Sequence, residues 1–205
     1  MKKITKIIIS GGPCAGKSTA LQHIKEKFTE KGYRVLLVSE SATELILGGI
    51  APWTCNNTLE YQTYQTRLQL TKEAIFDDMA QAVEDNVLIV CDRGLMDAKA
   101  YMSQEEFNAM MKFFHVQERD WIQRYNAIFL LETTAKGAME HYTFCTNQAR
   151  SEGIHEAIRL DDLTIQAWKN HPHCFYFDNS TDFEGKLEKL VKSIENFLTY
   201  DMVSL

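Results

Sequence analysis

Proline is scarce in this chain, with three in 205 residues. Long stretches are therefore free of the residue that breaks helices and interrupts strands. Cysteine is sparse and scattered: Cys14, Cys55, Cys91, Cys145 and Cys174 are odd in number and form no C-x-x-C pair. That spacing predicts neither a disulfide framework nor a zinc site. Reduced thiols and a cytoplasmic setting are expected. No apolar run approaches the roughly 18–20 residues of a membrane-spanning helix, so no membrane insertion is expected. Met1-Lys2-Lys3 leads straight into a strand, which predicts no signal peptide. Positive charge is not in excess: 22 Lys and Arg stand against 28 Asp and Glu, a net charge of −6. That balance excludes a broad nucleic-acid or anionic-membrane surface. No internal repeat or low-complexity segment is present. The six histidines form no ligand cluster, and His171-Pro172-His173 reads as a turn before a strand.

What is present is a chain 45% hydrophobic and long enough for one substantial core. A single domain over residues 1–205 is expected. Strands are read at 6–10 (KIIIS), 34–39 (RVLLVS), 87–91 (VLIVC), 127–132 (AIFLLE) and 174–177 (CFYF). The run VLIVC is apolar throughout, as in a strand buried on both faces. Helices are read at 17–31, stopped by Gly32, and over about 59–84 without Gly or Pro inside. On that long helix Leu68, Ile75, Met79 and Val83 recur at helical spacing and are predicted to face the core. A Ser103…Glu106 capping box opens a helix to about Phe114, and a short one follows at 117–124. Further helices are read at about 152–169 and from the Thr181…Glu184 capping box to about Leu198. The segment after Glu40 reads as a loop, and a small helical lid is expected at about 133–160. This alternation predicts a doubly wound, three-layer α/β/α parallel sheet. Every strand's carboxyl end then lies on one edge, where ligands bind. Gly11, Glu40, Asp92, Glu132 and Asp178 fall there.

One stretch organises that edge. Residues 11–19 read GGPCAGKST and contain G-x-x-x-x-G-K-[ST], with Gly11, Gly16, Lys17 and Ser18 at the fixed positions. Strand before and helix after are the context this phosphate-loop (P-loop) motif needs. The backbone from Gly11 through Gly12, Pro13, Cys14, Ala15 and Gly16 to Lys17, Ser18 and Thr19 is predicted to wrap a triphosphate. Its N–H groups form an anion nest, and the following helix adds the positive end of its dipole. Lys17 is expected on the β- and γ-phosphates, and the Ser18 hydroxyl on Mg²⁺.

Asp92 closes an apolar strand, the setting of an acid that holds Mg²⁺, against the plainer role of capping the next turn. Arg93 either contacts substrate or pairs with a carboxylate. Glu40 ends the neighbouring strand and is a candidate base for an attacking substrate hydroxyl. Its alternative is a structural acid paired with Arg93 or a helix N-terminus. Gln62 carries the donor and acceptor that read a nucleobase edge, and Arg67 accompanies it; the alternative is a solvated helix face. Trp53 either stacks on a base or fills the core, and Tyr61 is expected in the core. Arg150 and Arg159 are candidate lid arginines for charge on a transferred group. Their alternative is salt bridging with Glu152, Glu156, Asp161 and Asp162.

Several blocks together resemble the P-loop domain of the TRPL translocation defect proteins. They are GGPCAGKST, ESATELI at 40–46, CDRGLMD at 91–97, RYN at 124–126, RSEG at 150–153 and HPH…DNSTDFE at 171–184. That domain is grouped with the ribosylnicotinamide kinase domain of the bacterial NAD-biosynthesis regulator. The resemblance covers nearly the whole chain and implies a sheet of order 2-3-1-4-5. It also implies nucleotide binding, GTP in one branch and nucleoside phosphorylation in the other. Glu40, the YQTY helix and the RSE segment further resemble deoxynucleoside kinases, which implies base, nucleobase-reader and lid-arginine roles. By the same resemblance Asn179 and Ser180 lie where such folds touch the nucleotide base. Two departures stand out. The second, tunnel-like domain of the translocation defect proteins has no counterpart in these residues, so functions tied to it, lipid binding included, do not carry over. No N-K-x-D motif is present to specify GTP over ATP.

The expected activity is Mg²⁺-dependent binding of ATP or GTP with γ-phosphate transfer to a small hydroxylated acceptor such as a nucleoside. The rivals are a nucleotide-dependent switch acting through a protein partner and a plain NTPase. An open pocket beside Glu40 and Gln62 is expected of the kinase, and an occluded one of the switch.

Overall fold

The structure is a computed structural model that describes residues 2–137 and 153–203, with side chains described through 199. Five parallel strands form one sheet: β1 (Ile4–Ser10), β2 (Arg34–Val38), β3 (Val87–Asp92), β4 (Ala127–Leu131) and β5 (Cys174–Phe177). Their order is β2-β3-β1-β4-β5. The helices are α1 (Lys17–Glu30), α2 (Ser41–Leu47), α3 (Thr58–Ala82), α4 (Gln104–Phe113), α5 (Glu118–Ile122), α6 (Ile154–Trp168) and α7 (Phe183–Val203), with a 3₁₀ turn at Leu95–Ala100. Ile9 pairs with Asp92 across β1 and β3, and Ser10 with Leu130 across β1 and β4. That register aligns the carboxyl ends of the three central strands.

Side-chain alternation along the strands separates two cores. Ile7, Ile9, Leu88, Val90, Phe129 and Leu131 pack against α1 and α7 through Leu21, Ile24, Phe28, Leu190 and Ile194. Ile8, Ile89, Cys91, Ile128 and Leu130 face the opposite layer, where Phe107, Met110, Trp121 and Trp168 cover them. The expected three-layer parallel fold and strand order are both present. Among the described residues no helix is long and apolar enough to cross a membrane.

Two expectations are corrected. The segment after Glu40 is helical rather than a loop over Ser41–Leu47. It is short, and its Glu40 N-cap makes no side-chain capping bond, so the usual start signal is missing. The long helix is also rotated so that part of its expected apolar face is exposed. Its buried residues are Tyr61, Gln62, Thr66, Gln69, Glu73 and Ala80, whereas Ile75 and Met79 are 60% and 42% exposed. Leu68 is partly buried, and Val83 packs against the core as expected. The face against the body of the protein meets Ser41, Arg124, Tyr125 and Lys6, and polar side chains suit those partners. Most of the lid expected at 133–160 lies outside the described residues.

Candidate functional site

The loop between β1 and α1 has the geometry its glycines allow. Gly11 and Gly16 take φ of 138° and 82°. A side chain at Gly11 would sit 2.0 Å from the Leu131 carbonyl oxygen, and one at Gly16 would sit 2.3 Å from the Phe183 ring. Neither position tolerates a Cβ. Cys14 adopts φ 57° between them. Lys17 is buried and donates to the carbonyls of Gly12 at 2.8 Å and Gly11 at 3.1 Å. Its ammonium therefore sits at the mouth of the loop. Ser18 and Thr19 are exposed at the start of α1.

Beside the loop, at the ends of β2 and β3, lies a charged cluster. Arg93 takes the left-handed φ of 70° directly after β3. Its Nη1 donates to the Gly11 carbonyl at 3.2 Å and its Nε to Glu40 Oε1 at 2.6 Å. Burial opposes the charge on Arg93, but its electrostatic interactions with Tyr101, Glu40 and Asp97 outweigh that and hold its pKa well above the ordinary value. Thr43 donates to the second Glu40 oxygen at 2.6 Å. Asp97 closes the cluster from below, 3.5 Å from Arg93, accepting from Ser10 Oγ and from Trp168 Nε1 at 2.5 Å each. A phosphate loop, a guanidinium and a carboxylate are thus held together by direct bonds.

A small cleft opens next to this cluster, lined by Glu40, Ser41, Gln65, Thr66, Gln69, Asp92, Arg93, Gly94, Leu95 and Ala98. It is small: the space open to a water-sized molecule is about 20 Å³, room for about one water. Gln62 does not line it, although it is buried one turn away on the same helix. The Gln62 Oε1 and the Tyr61 hydroxyl are buried without a hydrogen-bond partner among the described residues. Burial, and then the charge of Glu40, pushes the Tyr61 hydroxyl up to about 12, which ties Tyr61 electrostatically to the same cluster. Tyr61 is in the core, as expected.

The far side of the loop is clamped from three elements. Asp161 of α6, fully buried, accepts from the N–H of Gly12 at 2.8 Å and of Thr133 at 3.2 Å. Lys136 pairs with Asp161 at 2.8 Å and Asp162 at 2.6 Å. Burial works against its charge, but these hydrogen bonds prevail and raise its pKa. Thr133 and Thr134 donate their hydroxyls to the carbonyls of Pro13 at 2.5 Å and Cys14 at 3.1 Å. Asn179 spends both amide hydrogens on the carbonyls of Thr133 and Lys136, and its oxygen accepts from Lys186 at 2.8 Å. Its side chain is a staple between the loops after β4 and β5. Ser180 donates to Asp178 in a local turn.

The other residues singled out in the sequence are dispersed. Trp53 is 68% exposed, so it does not fill the core. Arg67 is exposed on α3, and Arg159 pairs with Glu156 on the surface of α6 at 2.7 Å. Arg150 lies outside the described residues. Cys55, Cys91 and Cys174 are free thiols. His171 makes the expected turn, accepting from the His173 N–H at 3.1 Å and contacting the Tyr125 carbonyl at 2.9 Å.

Sequence reading missed Ser41, Gln69, Asp97 and Asp161. A signal for Gln69 existed: Gln62, Thr66, Gln69 and Glu73 recur at helical spacing, a polar stripe as regular as the apolar one. No group of three or more His, Cys, Asp or Glu among the described residues suits a metal. Mg²⁺ does not need one. It takes one or two protein oxygens and fills its octahedron with phosphate and water. The Ser18 hydroxyl at the start of α1 and the Asp92 carboxylate at the end of β3 are hard oxygen donors of that kind.

Compared with known proteins, residues 6–186 match the family model described as an AAA domain. No curated protein matches the chain.

Proposed function

The chain belongs to the AAA-domain family of P-loop NTPases, which implies nucleotide binding, and from that premise we propose that it transfers the γ-phosphate of ATP or GTP to a small hydroxylated acceptor, plausibly a nucleoside. One observation carries the reading. Glu40 is bonded through Arg93 to the Gly11 carbonyl of the phosphate loop, and the same two side chains line a polar cleft. A plain NTPase needs no second cleft there.

The loop amides and Lys17 hold the β- and γ-phosphates. Ser18 and Asp92 hold Mg²⁺, which when bound neutralises charge on the phosphate oxygens. Glu40 accepts the proton of the acceptor hydroxyl. The freed oxygen attacks the γ-phosphorus, the bond from that phosphorus to the β–γ bridging oxygen breaks, and the nucleoside diphosphate leaves. Arg93 orients the carboxylate and faces the charge that develops on the transferred group. In this reading the lid contributes Arg150, and Arg159 joins it only by leaving its pair with Glu156. The resemblance to ribosylnicotinamide kinases points to the same acceptor class. Asn179 and Ser180 meet the nucleotide base through their backbone carbonyls, because the Asn179 amide and both backbone N–H groups are engaged by Thr133, Lys136, Glu132 and Asp178.

The test incubates the protein with labelled ATP or GTP, Mg²⁺ and a panel of nucleosides, with Lys17→Ala as the control that should lose tight triphosphate binding. A labelled nucleoside monophosphate is expected from wild type alone. Triphosphate binding with no acceptor labelled would overturn the kinase reading. The switch reading draws on a specific observation too: the cleft is small as it stands, and Gln62 lies outside it. It predicts slow, acceptor-independent hydrolysis and a protein partner retained only in one nucleotide state.

A further inference from the structure

The buried face of α3 contains a charged residue that nucleotide chemistry does not use. Glu73 is 0% exposed and lies about two turns beyond Gln65, where α3 begins to line the cleft. Burying a carboxylate costs several kcal/mol unless donors surround it. Here they do. Tyr125 donates its hydroxyl to Oε1 at 2.7 Å, and Arg124 Nη2 donates to Oε2 at 3.1 Å. Lys6 lies 3.7 Å from Oε2. The remaining donor is Gln69, whose Nε2 reaches Oε1 at 3.0 Å.

That last bond fixes an amide. A side-chain amide has a donor end and an acceptor end, and its neighbours decide which way it points. With Tyr125 and Arg124 supplying hydrogens and the Lys6 ammonium 3.7 Å away, the Glu73 oxygens act as acceptors only, so Gln69 must turn its NH₂ toward them. Its carbonyl then faces the opposite way, toward Ser41, whose hydroxyl donates to Oε1 at 2.8 Å. Ser41 and Gln69 line the cleft, and Glu73 does not. The end of Gln69 on the cleft side is therefore the acceptor, and Ser41 occupies one of its two lone pairs. The cleft sets this carbonyl beside the Glu40 carboxylate, whose two oxygens also accept from Arg93 and Thr43, and Arg93 and Thr66 line the same wall.

We propose that Gln69 is the specificity-determining residue of the acceptor site and that Glu73 is the positioning residue that locks its carbonyl toward the cleft. The ligand class that fits carries at least two hydrogen-bond donors. One is the hydroxyl presented to Glu40, and a second hydroxyl is presented to Gln69, as on the sugar of a ribonucleoside. This inference rests on the cleft being the acceptor site of the preceding section, and it assigns the reading role to Gln69 rather than to Gln62.

The experiment measures binding by calorimetry with a non-hydrolysable triphosphate and Mg²⁺ present, and phosphorylation separately with ATP or GTP. The probes are adenosine, guanosine, cytidine and uridine, each beside its 2′-deoxy and 3′-deoxy analogue. Wild type is expected to favour the ribonucleoside over one of the two deoxy analogues by about tenfold or more, the discrimination of one buried hydrogen bond. In Gln69→Leu that ratio should fall to near one. In Glu73→Gln it should fall partway, because an amide at that position presents either end to Gln69. A purely structural role for these residues would weaken all probes equally and leave the ratio intact. Should Gln69→Leu fail to fold, Gln69→Asn reads the same ratio, since its amide is one methylene too short to span Ser41 and Glu73. Phosphorylation with an unchanged ratio in the Gln69 variants overturns this inference and leaves the kinase reading standing. Gln69-dependent discrimination without phosphorylation does the reverse. A wild-type protein that binds none of the probes overturns both.

Discussion

Lys186 shows how a single side chain reports on the packing beneath the phosphate loop. It is buried, and its ammonium donates to the Glu132 carbonyl and to Asn179 Oδ1 at 2.8 Å each. Burial lowers its pKa from 10.5 to about 8, although the charges of Glu132, Asp161 and Asp178 partly offset the effect. The unfolded chain then binds more protons than the folded one between about pH 8 and pH 10.5. Stability therefore rises with pH across that window. Urea denaturation at steps from pH 7 to pH 10.5 should show the rise at this site, and Lys186→Met should remove it. An identical pH slope in the variant would place the titration elsewhere. His171 works the same way at lower pH. Burial lowers its pKa below 6.5, so its contribution is present above pH 6.5 and is lost as the solution is acidified below that value.

At the scale of elements, α3 decides how the site is built. A helix usually buries its apolar stripe, and the spacing of Leu68, Ile75, Met79 and Val83 predicts that face inward. The inward face instead packs Leu70, Phe76, Ala80 and Val83 against the core and gives its polar residues polar or charged partners. Glu73 meets Lys6, Arg124 and Tyr125, and Gln69 meets Ser41. Exchanging the faces would leave those groups buried without partners, at a cost exceeding the gain from burying Ile75 and Met79. The double substitution Ile75→Lys with Met79→Lys is accordingly expected to change stability by no more than about 0.5 kcal/mol. Glu73→Ala should cost about 3–5 kcal/mol, because it strands buried donors. Chemical denaturation distinguishes the two, and the reverse ranking would mean that the apolar face is the buried one. The strands and α1 were legible in the sequence because their signals are local. A continuous apolar run, a glycine stop and a glycine-rich loop act within a few residues. The orientation of α3 was not, because both its stripes have helical period and only distant partners choose between them.

At the scale of the whole molecule, α6 ties the segment following residue 153 to the phosphate loop. Asp161 and Trp168 stand on one face of the helix. The first holds the Gly12 amide, and the second holds Asp97 through its ring N–H. Asp97 in turn holds Ser10 and approaches Arg93. A Cβ at Gly94 would sit 2.7 Å from the Trp168 ring, so this approach leaves no slack. Nucleotide affinity is therefore coupled to the seating of α6. Asp161→Ala is expected to destabilise the fold by about 1–3 kcal/mol, to speed amide exchange at Gly12 and Thr133, and to weaken triphosphate binding. Calorimetry together with hydrogen exchange measures all three effects. Unchanged exchange at both amides would show that the clamp does not hold the loop.

By itself the sequence determined the parallel sheet, the position of the phosphate loop and the acids at the strand ends, since each follows from residues adjacent in the chain. GGPCAGKST needs only the strand before it and the helix after it to form its nest. The tertiary structure alone decided what surrounds that nest. It bound Arg93 to both Glu40 and Gly11, brought Asp161 across 149 residues to the Gly12 amide, and turned Gln69 rather than Gln62 into the cleft. Those choices depend on which buried donors find acceptors, and the partners are far apart in sequence.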